Sequence, residues 1–177
     1  MCKYEMSRFK SHYACFDCKK TFKRRVLWDI NRDDKRKIEA KCPQCGQLMA
    51  NMGLDFASPK KDDIKGWTHI KKLYSVGITF HSCGCSGPGY IPNSNEKLIE
   101  YFEEIKRDYI KNLEFWRQRV EPTNSREEDR ENSKYGNYLY KIPSALTPKK
   151  GAISNEAAKI YWIDKIKSVE QKLEKIK

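Results

Sequence analysis

Cys15-Phe16-Asp17-Cys18 and Cys42-Pro43-Gln44-Cys45-Gly46 decide how this chain is read. Each stretch sets two cysteines two residues apart, a spacing at which one tight turn aims both sulfurs at a common point. Pro43 inside the second turn and Gly46 behind it suit a bend and the relief of strain after it. The 23 residues from Lys19 to Lys41 are enough for a β-hairpin that brings the two turns face to face. Four thiolates so disposed make a closed tetrahedral site. The pattern predicts a zinc ribbon with one structural Zn²⁺ held by Cys15, Cys18, Cys42 and Cys45. A redox pair would need a Cys-x-x-Cys at a helix start in a βαβ setting, and neither turn has that context. Iron–sulfur clusters also use four thiolates, but the residues of the two turns favour zinc.

The segment between the turns is basic. Lys19, Lys20, Lys23, Arg24, Arg25, Arg32, Lys35, Arg36, Lys37 and Lys41 stand against Asp29, Asp33, Asp34 and Glu39, a net of +6. With Arg8 and Lys10 ahead of the first turn, these side chains are the candidate nucleic-acid contacts. Such a surface would draw its affinity from released counterions, with little sequence choice. The plainer reading is a solvated surface hairpin. Phe9, Tyr13, Phe16, Phe22 and Trp28 interleave with the cations, either to stack on unpaired bases or to pack over the metal. For Phe22 and Trp28 packing is expected, because a small ribbon needs apolar bulk beside its ion.

Across all 177 residues the net charge is +12, and 14 Lys and Arg face 7 Asp and Glu in residues 1–60 alone. An excess of this size points to an anionic polymer or surface as partner. Hydrophobic residues (38%) barely outnumber charged ones (34%), which is thin for a single compact core. The composition fits a small folded module joined to extended or partner-dependent segments. Seven cysteines in a short chain are a number that a secreted disulfide scaffold also has. Their odd number, the ligand spacing of four and the polar start Met1–Arg8 point instead to a reducing cytoplasm. No apolar run approaches the roughly 18 residues of a membrane span, so no membrane is expected as partner.

The organisation that follows is α+β. Residues 1–57 read as a basic arm and the ribbon, with Phe22, Val26, Trp28 and Ile30 alternating as in a strand. Asp33-Asp34 would be the hairpin tip and Ile38–Lys41 the return strand. Residues 58–120 begin with a helix, with Ser58 as cap, Pro59 at its first position and apolar residues at Ile64, Trp67, Ile70 and Tyr74. Gly77 is placed to end it, before a short strand at Ile78–Phe80. A glycine-rich turn then leads to a long helix over Asn95–Arg119, whose stripe runs Leu98, Phe102, Ile105, Tyr109, Leu113, Trp116 and Val120. Residues 121–154 read as a polar linker (121–137) and an extended docking segment (Tyr138–Pro148). Residues 155–177 are a last helix with Ile166, Val169, Leu173 and Ile176 on one side. The two long helices are expected to pair antiparallel.

His81, Cys83 and Cys85 in the glycine-rich turn have two readings. They could enter a second metal site with Cys2, His12 or His69, or mark a tight turn in which small residues let backbone approach closely. Signatures of catalysis are missing. There is no His-x-Glu joined to Pro-Cys-x-x-Cys, no phosphate loop ending in Gly-Lys-Ser/Thr and no serine nucleophile elbow. The chain is therefore expected not to be an enzyme and to have no small-molecule substrate. A metal-dependent nuclease built on His81 lacks an acid or histidine set.

The paired knuckles, Met52-Gly53-Leu54-Asp55-Phe56, Trp67, and Phe80-His81-Ser82-Cys83-Gly84-Cys85-Ser86-Gly87-Pro88-Gly89-Tyr90 together resemble a small zinc-ribbon ribosomal protein of Bacteroidota, an additional large-subunit component in that phylum. The resemblance covers about residues 1–120. It implies a structural role on rRNA beside neighbouring ribosomal proteins, a place on the cytoplasmic ribosome and no catalytic residues. The four knuckle cysteines match its metal pattern position for position, while the helix from Asn155 matches nothing in it. The alternative is a zinc ribbon that binds DNA or accompanies RNA polymerase in transcription. A dimer seam in the last helix would favour it, but that stripe covers barely two heptads, short for a coiled coil.

Overall fold

The computed structural model describes residues 10–25, 40–82, 87–148 and 151–177. Among these residues three short strands, β1 (Lys10–Cys15), β2 (Lys20–Arg25) and β3 (Ala50–Gly53), form one sheet with β1 in the middle, and four helices follow: α1 (Ile64–Ser75), α2 (Asn95–Gln118), α3 (Ser125–Leu139) and α4 (Asn155–Ile176), with a 3₁₀ turn at Ser144–Leu146. The α+β architecture read from the sequence is the one observed. The chain divides into two compact units, Met1–Leu98 with Ile176, and Ile99–Lys175 with Lys177.

In the first unit β1 does two jobs, because successive side chains in a strand point to opposite faces. Cys15 and Tyr13 join Cys42, Met49, Cys18 and Phe22 on one face. Ala14 lies on the other, where Ala50, Met52, Phe56, Trp67 and Ile70 close a hydrophobic core under α1. Residues 58–75 thus share the ribbon's core. Between His12 and Tyr13 the β1–β3 register shifts by a bulge. Beyond it the chain turns at Gly53, whose φ is +95° and whose missing Cβ would sit 2.5 Å from the Phe80 carbonyl. Ile78–Phe80 is not a regular strand. Its Phe80 N–H nevertheless donates to Met52 O (2.8 Å), and Phe80 O accepts from Asp55 N–H (3.1 Å).

Helix α1 starts later than Ser58-Pro59. Asp63 is its cap and accepts from the Gly66 N–H at 2.9 Å. The Ser58 hydroxyl is occupied elsewhere, accepting from the Thr21 hydroxyl at 2.8 Å and so tethering β2. Gly77 ends the helix as read, in a left-handed conformation (φ +83°). Its N–H donates to Tyr74 O and the Ile78 N–H to Leu73 O, the two bonds of a Schellman ending. Trp67 is buried, and its indole N–H donates to Lys60 O at 3.0 Å.

The second unit corrects two expectations. Residues 121–137 are not a linker: α3 occupies them from Ser125 onward. Its cap Asn124 accepts from the Glu127 N–H (3.1 Å), and Glu127 reaches back to the Thr123 N–H (2.8 Å). This is a variant of the capping box in which Glu127 returns to the N–H one residue ahead of the cap, and it starts a helix whose charged surface hides any stripe. The Tyr138–Pro148 segment is likewise not extended; it finishes α3 and passes through the 3₁₀ turn, burying Leu139 and Ile142. Val120 drops out of the α2 stripe, being past the helix end and 87% exposed.

Helices α2 and α4 run antiparallel within this unit, as Lys106 pairs with Glu170 (2.7 Å), Tyr109 packs on Trp162 (5.4 Å) and Arg119 bonds Asn155 (2.7 Å). The core holds Leu113, Trp116, Leu139, Ile142, Ile153, Ala158 and Trp162. At its edge the Arg119 side chain is 3% exposed and donates through Nε and Nη2 to both oxygens of Glu131 (2.5 and 2.7 Å). Its Nη1 donates to Ile153 O and Asn155 Oδ1, both at 2.7 Å, so one guanidinium ties α2, α3 and the start of α4 together. Removing one partner of such a pair leaves the other buried and uncompensated. Arg119→Met is expected to cost about 3–5 kcal/mol in urea unfolding, with partial recovery in Arg119→Met/Glu131→Leu.

Candidate metal centre

Both cysteine pairs sit at the tips of hairpins. Cys15 ends β1 and pairs with Lys20, so Phe16 to Lys19 form the loop to β2. The second tip is closed by the Lys41–Leu48 bridge, with Met49 N–H donating to Ala40 O and Gly46 N–H to Cys42 O. In each loop the residue after the second cysteine is left-handed, Lys19 at φ +49° and Gly46 at φ +74°. The two knuckles therefore share one backbone solution, carried by glycine in the second and by a strained lysine in the first.

The hairpins bring all four sulfurs within 4.8 Å of one another. Cys15 Sγ lies 3.5 Å from Cys45 Sγ, and Cys42 Sγ lies 3.9 Å from Cys18 Sγ. These separations exclude disulfides, and all four cysteines are free thiols. A tetrahedral ion with metal–sulfur bonds of about 2.3 Å would hold its sulfurs about 3.8 Å apart. The cluster fits a single ion of that kind.

The protonation of the quartet suits this role. Burial pushes the Cys15 thiol up. Cys18 is pushed up to about 12, chiefly by its hydrogen bond to Cys45. Burial also acts upward on Cys42, but the backbone N–H groups of Cys45 and Gln44, aimed at its sulfur, bring it down to about 7. A cation entering this cluster displaces protons, so binding strengthens with rising pH.

Among the described residues no other group of His, Cys, Asp and Glu could hold a metal. His12 points to the opposite face of β1, where its ring meets Phe56 edge-on, and burial followed by Lys23 holds its pKa low. His69 is bonded to Pro92 O (2.8 Å), and His81 to the Thr79 hydroxyl (2.9 Å). Cys2, Cys83 and Cys85 lie outside the described residues, so the second-site reading turns on positions beyond them.

Of the cationic candidates, Lys10, Lys20, Lys23, Arg24 and Lys41 are exposed and Lys19 half-buried, and Arg25 ends β2. Arg8, Arg32, Lys35, Arg36 and Lys37, with the hairpin tip at Asp33-Asp34 and with Val26, Trp28 and Ile30, lie outside the described residues. Cross-strand partners share a face. Lys20 opposite Cys15, Phe22 opposite Tyr13 and Arg24 opposite Ser11 therefore lie on the metal side of the sheet. Arg24 also donates to Lys41 O at 3.3 Å, linking β2 to the second knuckle.

Compared with known protein families, curated proteins and solved structures, the chain has no significant match. No helix among the described residues is long and apolar enough to cross a membrane.

Two substitutions probe the centre. Cys42→Ser should lose its metal to a chelator that leaves the native chain loaded, measured by elemental analysis after dialysis. Gly46→Ala meets no atom within 4 Å. It should therefore cost only the left-handed strain, about 1–2 kcal/mol in urea unfolding.

Proposed function

We propose that this protein is an RNA-binding zinc ribbon with a structural place on rRNA, on the large ribosomal subunit. The observation that carries the reading is the metal-side face of the sheet. There Lys20, Phe22 and Arg24 alternate along the edge strand β2, and half-buried Tyr13 lies beside Phe22. An edge strand whose cations flank rings packed on the cysteine cluster presents fixed positive charge to the phosphates of an RNA backbone. Zinc is the ion we assign, because four converging thiolates in a closed tetrahedral set are its usual structural environment. Its task is mechanical: it locks the two hairpin tips, so the basic strand meets RNA already ordered.

The net charge of +12 supports an anionic polymer as partner. The resemblance of the knuckles, Trp67 and the Phe80–Tyr90 turn to a Bacteroidota ribosomal protein supports rRNA over DNA.

Sucrose-gradient sedimentation of native lysate tests this reading. Co-migration with the large subunit that survives high salt is the expected result, whereas migration near the top at low and high salt alike would overturn it. At residue level, Lys20→Glu/Lys41→Glu should weaken RNA binding in filter assays. Each lost phosphate contact should reduce the slope of log K against log salt by about 0.7.

A further inference from the structure

The second unit carries a concavity of about 610 Å³ between the end of α2 and the outer side of α3. That volume lies inside the range of small-ligand sites. Phe115 and Tyr135 give it an aromatic wall, their rings 5.3 Å apart, and Phe115 is backed by a parallel stack on Tyr138 at 4.3 Å. Val120 and Pro122 add apolar surface, and Val120 is open to solvent here. Both the wall and the volume suit a flat ring.

The charges lining the cavity are unequally committed. Glu131 has both oxygens on Arg119. Glu121 accepts from the Asn155 N–H at 2.5 Å, at the start of α4. Glu127 accepts from the N–H and the hydroxyl of Thr123 at 2.8 and 3.0 Å, which hold its carboxyl low. Every carboxylate in the lining is thus engaged in structure. The cations Arg130 and Lys134 are exposed and in no ion pair among the described residues. Arg130 acts on Glu127 only through space, while Lys134 rests its ammonium over the Tyr135 ring at 4.9 Å and hydrogen-bonds the same tyrosine. Occupied carboxylates leave nothing for a metal cation, and two cations without a carboxylate partner beside an aromatic wall favour an anion that carries a ring.

We infer that this cavity is a nucleotide site, in which the base packs against Phe115 and Tyr135 while its phosphate is met by Arg130 and Lys134. The site lies outside the ribbon and does not depend on its role. A free mononucleotide and one unit of an RNA strand present the same chemistry to it.

The test is titration of AMP into the zinc-loaded full chain, followed by amide NMR. Saturable shifts are expected at Phe115, Val120, Lys134 and Tyr135. Adenosine and ribose 5-phosphate should each bind at least about tenfold more weakly, since each lacks one half of the recognition. Arg130→Gln/Lys134→Gln, both on the surface and so compatible with folding, should weaken AMP by a similar factor of about ten while the chain keeps its helical circular-dichroism spectrum. A short oligoadenylate separates the two sources. Tighter binding than AMP at the same residues assigns an RNA strand, and equal or weaker binding assigns a free nucleotide. Absence of saturable shifts, equal affinity for ribose 5-phosphate, or an unchanged affinity in the double variant would overturn the site. Lys20→Glu/Lys41→Glu, which probes the ribbon, is expected to leave AMP binding intact.

Discussion

Everything in the first unit rests on the convergence of four sulfurs at one point. Three strands of six, six and four residues cannot bury enough apolar surface to order themselves. The cysteine cluster supplies closure on one face of β1 and the Trp67 core supplies it on the other. Neither half is sufficient alone: the core needs Ala14 and Met52 in register, and the knuckles need β1 and β2 to end at the right place.

The second unit solves the same shortage of apolar residues by another route. Among its described residues no group of metal-ligating side chains converges, and its helices are heavily charged. Two buried tryptophans, Trp116 and Trp162, fill its centre, and Arg119 is drawn inside to serve carbonyl, amide and carboxylate acceptors on three elements. A guanidinium can do this because its donors are rigid, planar and always charged. The guanidinium also lies 4.8 Å from the Trp116 ring, so the polar clamp and the apolar core are one structure.

Much of this was legible in the residues. Cysteine spacing identifies the four-thiol cluster, and Gly77 announces a helix end because glycine takes the left-handed conformation that ends one without strain. Helices α2 and α4 show in their stripes, although Ala158 and Trp162 extend the α4 stripe beyond the four residues that first reveal it. Helix α3 was hidden, because its core contribution comes only at Leu139 and the half-buried tyrosines near its end. The signal that reveals it is Asn124-x-x-Glu127, a cap without a stripe. The face of β2 could not be read before the register with β1 was known, and the cavity beside α3 could not be read at all. It gathers Phe115, Val120 and Lys134 from segments whose meeting depends on the Arg119 clamp.

The alternation along β1 has an evolutionary consequence. Tyr13 and Cys15 face the cysteine cluster while His12 and Ala14 face the hydrophobic core, so losing or gaining one residue between Lys10 and Cys15 would exchange the two faces. A thiol would then enter the Trp67 core and an alanine would face the ion. Substitution can therefore explore this strand while insertion and deletion cannot, and length variation in descendants of this chain should accumulate outside it. The bulge between His12 and Tyr13 falls in the pairing of β1 with β3 and leaves the register of β1 with β2 unbroken.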